Sequence, residues 1–190
     1  MDLIIVTDSL NSTQPLLHEA NKQGHRVLKY IGSDDEVAAY VTSMQPDALV
    51  FICNKIDRIA LREMRSVGKK RPTPILIFTR DSKEESINAS VKAGASAYII
   101  DCDDTSRLDS LLGVARARFE EQQRLKDELQ QTKNALSDRK SVEKAKGIIM
   151  KTKRLNEDQA YNAIRKLAMN HNKRIGEIAE QIISAAEVLV

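Results

Sequence analysis

Four short, unbroken apolar runs limit what this chain can fold into. They are Leu3-Ile4-Ile5-Val6, Ala48-Leu49-Val50-Phe51-Ile52, Ile75-Leu76-Ile77-Phe78 and Ala97-Tyr98-Ile99-Ile100. Each is too short for a helix that must cross a core, and none alternates with polar residues. Such runs suit strands buried on both faces, which requires parallel pairing and crossover helices. A fifth segment, Arg26-Val27-Leu28-Lys29-Tyr30, does alternate, as an edge strand does. Helices fit residues 12–22, 34–43, 58–67, 83–93 and 105 onward. The pattern predicts an α/β, flavodoxin-like (βα)5 domain with strand order 2-1-3-4-5.

From about Asp104 to Val190 no strand pattern and no proline occurs. Leu111, Ala115, Leu125, Leu129 and Leu136 keep spacings of four and seven with Thr132 in register, while Arg118 and Gln122 fill other positions of the same stripe. Two readings fit: a weak coiled-coil dimer seam, or a solvated single helix. The seam is the expectation carried forward. Further on, Asn156-Glu157-Asp158-Gln159 carries a capping residue, first-turn acids and Gln at the third helical position, which marks a helix start. Asn170-His171-Asn172 separates that helix from the next. The expected division is 1–112 for the α/β domain, 113–136 for a coiled-coil linker and 137–190 for three helices at about 137–154, 157–170 and 173–188.

Charge follows the same division. Residues 1–110 hold 14 Lys+Arg against 16 Asp+Glu, whereas residues 137–190 hold 11 against 7. A basic tail on an acidic front suits a polyanionic partner at the C-terminal end. No run approaches the roughly 18 apolar residues of a membrane span, no signal-peptide pattern opens the chain, and Cys53 and Cys102 are its two cysteines. They follow the third and fifth strands, so two strand spacings of about 9–10 Å would separate them, beyond disulfide reach. A cytoplasmic protein without a membrane partner, cofactor or metal is expected.

Residues 1–112 resemble the receiver domain of two-component response regulators, notably Pro46-Asp47 before the third strand and Ala93-Gly94-Ala95-Ser96-Ala97-Tyr98 before the fifth. That resemblance implies an acceptor Asp, acids for Mg²⁺, a switch hydroxyl and a Lys, which together position and neutralise a phosphoryl group. The corresponding positions here are Thr7 and Asp8 after the first strand, Ile52 at the acceptor, Thr79 at the hydroxyl and Asp101 at the Lys. Isoleucine offers no nucleophile, and Asp57 lies in the following loop. A phosphorylation-silent pseudo-receiver, serving for interaction and dimerisation, is therefore expected. An alternative cation site at Asp8 and Asp101 is weighed against solvated strand-end acids.

Ser141-Val142-Glu143-Lys144-Ala145-Lys146-Gly147-Ile148-Ile149-Met150 resembles the opening helix of the ANTAR antitermination domain. Leu155, Asp158, Ala160-Tyr161, Leu167-Ala168-Met169, Ile175 and Ile178-Ala179 continue the match. The whole arrangement is most similar to the NasT- and AmiR-type transcription antiterminators. The resemblance implies binding of paired hairpins in nascent leader mRNA, control by a ligand-sensing regulatory protein, and a link to nitrate or nitrite; the homodimer rests on the Leu111–Leu136 stripe.

At 100° per residue, Ala160, Ala163, Ile164, Leu167, Ala168 and His171 share one face of the second helix, with Arg165, Lys166 and Met169 opposite and Tyr161 at the border. Val142, Ala145, Ile148 and Ile149 form the core stripe of the first helix, with Lys146, Gly147 and Met150 away from it. Lys173 and Arg174, at the expected start of the third helix, join Lys146, Gly147, Tyr161, Arg165, Lys166 and Met169 as candidate RNA contacts. Tyr161 is open to base stacking or to a core role. Gly147 is open to helix packing or RNA approach. A DNA-binding response regulator is the alternative function, although no tight glycine turn joins the last two helices; a purely protein-binding regulator is the third. No nucleophile–base pair, metal cluster or phosphate loop argues for an enzyme.

Overall fold

A computed structural model describes residues 1–7, 14–32, 35–100 and 106–188. Strands and helices alternate as β1 (Asp2–Thr7), α1 (Gln14–Lys22), β2 (Arg26–Ile31), α2 (Val37–Met44), β3 (Ala48–Cys53), α3 (Arg58–Lys70), β4 (Ile75–Thr79), α4 (Glu84–Ala93) and β5 (Ala97–Ile100). Three helices follow: α5 (Leu108–Lys153), α6 (Glu157–His171) and α7 (Ile175–Val188). The chain divides into two compact units, Met1–Gln123 and Arg124–Val190.

In the first unit all strands pair in parallel, in the order β2-β1-β3-β4-β5. Strand alternation sends each run to two different cores. Ile4, Val6, Leu49, Phe51, Ile75 and Ile77 pack with Val37, Val41, Met64 and Val67 of α2 and α3. Leu3, Ile5, Val50, Ile52, Leu76 and Phe78 pack with Leu16 and Ala20 of α1 and with Leu108, Leu112 and Ala115 of α5. Burial on both faces explains the unbroken apolar runs of β1, β3 and β4. β2 lies at one edge, as its alternation implied; the apolar run of β5, expected to be buried on both faces, lies at the other edge and is only half-buried, with Ile100 exposed. Asp57 caps α3, accepting a hydrogen bond from the Ala60 amide at 2.8 Å.

The second unit is built on the end of α5 with α6 and α7. Its core is Val142, Ala145, Ile164, Ala168, Ile178 and Ala179. The long helix expected to leave the α/β domain is α5, which runs unbroken from Leu108 to Lys153, so that residues 113–136 and 137–153 lie on one helix. Nothing between Ala135 and Arg139 could stop it, since neither glycine nor proline occurs there.

Candidate nucleic-acid interface

The second helix of the C-terminal unit starts on a full capping box. The Asn156 side chain accepts from the Gln159 amide at 2.8 Å, and the Gln159 side chain accepts from the Asn156 amide at 3.0 Å. Glu157 and Asp158 occupy the first turn, where the helix dipole favours negative charge. At the far end Asn172 adopts a left-handed conformation, φ 51°, and its amide closes the last turn. Between these stops, Ala160, Ile164 and Ala168 are buried, the last two in the core cluster. Tyr161, Arg165, Lys166 and Met169 are exposed on other faces, with Met169 reaching 72%. Leu167 and His171, expected on the core side, are exposed as well. The buried stripe here is narrow because its facing residues are mostly alanines, so the helix margins stay outside.

Three candidate contacts need correction. Lys146, expected on the open surface, is 8% exposed. Its ammonium lies 2.8 Å from Glu143 Oε1 and 2.6 Å from Glu157 Oε1. Hydrogen bonds to these two carboxylates hold its pKa above the usual lysine value against desolvation, and Glu157 is correspondingly lowered by Lys146. The residue is a clasp between α5 and the first turn of α6. Lys173 and Arg174 precede α7 rather than beginning it, and both are exposed. Arg174 Nε donates to Glu177 at 2.9 Å, and its guanidinium is 3.9 Å from Asp138, so its charge at a helix start is already offset by acids.

Of the two readings for Gly147, packing against another helix finds no support: among the described residues, nothing beyond its own helical turn lies within 4 Å of a Cβ placed there. The close approach belongs to Gly176, where a Cβ would collide with the Asp138 carboxylate. Sequence reasoning passed over Gly176, whose signal was a glycine in the first turn of an amphipathic helix. Ile148, expected in the core, instead lines a surface groove with Ile149, Thr152, Ile182, Ala185 and Ala186.

The expected dimer seam separates into two parts. Ala115 is fully buried in the α/β core and Leu111 packs beside it, so neither is free to meet a second copy. Leu125, Leu129 and Leu136 are 53%, 55% and 56% exposed.

At the receiver-like pocket, Thr7 and Phe78 flank Ile52 in register on the adjoining strands. Ile52 is 2% exposed and belongs to the apolar cluster. Thr79 is fully buried, donates to the Asn54 carbonyl at 3.0 Å and accepts from the Asp81 amide at 3.2 Å. Asp81 in turn accepts from Ser86 and from the Lys83 amide, which hold its carboxyl below the usual value, and its carbonyl accepts from the Tyr98 hydroxyl at 2.7 Å. The hydroxyl position is thus bound into the β4–α4 turn. Asp8, Asp101 and Cys102, including the suggested cation site, lie outside the described residues. Among the described residues, no group of three metal-binding side chains occurs, and no helix is long and apolar enough to cross a membrane.

The α/β unit matches solved receivers in fold. The signal receiver domain of a modulated diguanylate cyclase from Desulfovibrio desulfuricans G20 superposes with TM-score 0.53 at 15% identity, covering 64% of this chain and 97% of that one. A LuxR-family two-component response regulator from Aurantimonas sp. SI85-9A1 gives 0.54 at 18%, covering 61% and 84%. Residues 130–183 match the ANTAR domain. The chain therefore joins a receiver fold to an ANTAR domain. Over most of its length it is similar to the transcriptional regulatory protein PdtaR of Mycobacterium tuberculosis, 24% identical across 95% of this chain and 88% of the relative. It is also similar to the nitrate regulatory protein of Klebsiella oxytoca, 42% identical over 79 residues, which are 41% of this chain and 20% of that protein.

Proposed function

We propose that this chain is a cytoplasmic transcription antitermination regulator, not an enzyme, that binds paired hairpins in nascent leader mRNA. The observation that carries the reading is the exposed set Tyr161, Arg165, Lys166 and Met169 on α6 within the ANTAR match. Two guanidinium or ammonium groups beside an aromatic ring and an adaptable thioether suit unpaired loop bases and their phosphates. Lys173, with no ion pair among the described residues, adds charge at the end of the same helix. The functional division is 1–112, 113–136 and 137–190. Buried Ile52 supports control without phosphorylation, through a ligand-sensing partner protein. The name of the Mycobacterium relative, a transcriptional regulatory protein, supports a role in transcription, and that of the Klebsiella relative, a nitrate regulatory protein, supports a nitrate or nitrite signal.

A pool of stem–loop RNAs with randomised loops, competed against duplex DNA of the same length, tests this. Retention of stem–loops over duplex is expected, and Arg165→Ala weakens it by about 1–3 kcal/mol with thermal unfolding shifted by less than about 0.5 kcal/mol. Preferential capture of duplex DNA would transfer the protein to the DNA-binding regulators. A homodimer through Leu125, Leu129 and Leu136 belongs to the same proposal. These side chains are more than half exposed, so Leu125→Lys with Leu129→Lys should leave stability unchanged while shifting sedimentation from dimer to monomer. A variant that sediments as the parent does removes the seam from the proposal.

A further inference from the structure

Gly147 occupies a helix interior where alanine would fit. Glycine there costs about 1 kcal/mol relative to alanine, and among the described residues nothing beyond its own helical turn lies within 4 Å of the absent Cβ. Gly147 is two residues from both Ala145 and Ile149, hence about 160° around the helix from each, and these two pack in the core. It therefore centres the outer face of α5. The residues sharing that face at seven before, three before and four after are Lys140, Lys144 and Lys151, all exposed. Lys144 reaches Glu187 at 2.9 Å; Lys140 and Lys151 have no ion pair among the described residues. Glu143, the one acid nearby on this helix, is engaged by Lys146. Met150, one turn beyond Gly147, is 36% exposed.

We propose that this face is a second RNA-docking tract, in which a phosphodiester strand crosses α5 at Gly147. The bare backbone at Gly147 allows the strand into contact, and Lys140 and Lys151 neutralise phosphates on either side. The charges choose the occupant. A protein helix laid on Gly147 would have to desolvate the flanking ammonium groups, whereas phosphates neutralise them and release counterions. This proposal rests on the RNA-binding reading and places a contact surface on a different helix from Arg165 and Met169.

The full-length chain, probed with a labelled stem–loop from the randomised pool, separates the two. Gly147→Ala improves helix propensity and meets no atom, so the variant folds and its melting temperature stays or rises. Its RNA affinity falls, and Gly147→Leu lowers affinity by about tenfold or more. Lys140→Gln with Lys151→Gln reduces the salt dependence by about 1.4 in log–log slope, two contacts at about 0.7 each. If Arg165→Ala weakens binding while Gly147→Leu leaves it within about twofold, the tract is wrong and the RNA reading stands. If the parent binds no stem–loop, both fall. If Gly147→Leu changes the sedimentation of the free protein and not its RNA affinity, the occupant is another protein and the proposal is overturned.

Discussion

Ile164→Ala is expected to unfold most of the C-terminal unit near physiological temperature. Ile164 is fully buried, and the core around it is small: three of its six buried members are alanines. Ile164 and Ile178 are the large side chains in that set. Truncating a buried isoleucine to alanine costs about 2–5 kcal/mol through lost transfer energy and the cavity left behind. A small domain holds only about 5–15 kcal/mol in total, and this one buries little apolar surface. Thermal melting of the full-length chain by circular dichroism should show an early helical transition split from that of the α/β unit. Stem–loop affinity should fall with it, since Tyr161, Arg165 and Met169 ride on the helix that Ile164 anchors. Ile164→Val, costing about 0.5–1.5 kcal/mol, should retain both. A loss below about 1 kcal/mol for Ile164→Ala would mean that α6 does not pack on α5 and α7 as described.

Writing an acceptor back into the receiver-like pocket should fail in a second, equally large way. Ile52→Asp removes an isoleucine that is 2% exposed among Leu16, Val50 and Phe78. The lost burial is worth about 1.5–3 kcal/mol, and an unsatisfied buried polar group adds about 1–3 kcal/mol. The expected destabilisation is about 3 kcal/mol or more, measured by urea unfolding of the α/β unit. Neither parent nor variant should gain phosphate from acetyl phosphate and Mg²⁺ by intact mass, because the sequence places Asp101 where a receiver carries Lys. A stable Ile52→Asp protein that accepts one phosphate would show that the pocket retains its chemistry and lacks only the nucleophile.

The α/β unit was legible because its signal is local: Leu3–Val6 and Ile75–Phe78 announce strands buried on two faces without reference to any other residue. On the candidate surface, exposure was legible only where one helix decided the matter. Met169 and Arg165 lie off the core stripe by angle alone, and they are exposed. Lys146 lies only 40° from Val142 on the same arithmetic, so its place at the border of the core stripe was readable by angle, but its partner Glu157 arrives from a different helix after a turn. Helical angles cannot reveal a partner of that kind. Leu111 and Ala115 fit a heptad spacing, but an amphipathic helix on a sheet satisfies the same spacing, and the α/β core claims them. Gly147 and Gly176 were indistinguishable as letters. Only the positions of Asp138 and of empty space separate the glycine that the fold uses from the one it leaves open.

The clasp at Lys146 also governs how this surface answers to chemistry. An amine must lose its proton before it can attack an acylating reagent, and two carboxylates hold this proton in place while the fold shields the nitrogen. Lysines such as Lys140 and Lys151 remain open to modification, so their charge is adjustable from outside. Lys146 becomes reactive only when the turn between α5 and α6 opens, which makes its acylation a clock for that opening. Its neighbours record occupancy of the surface on the same chain.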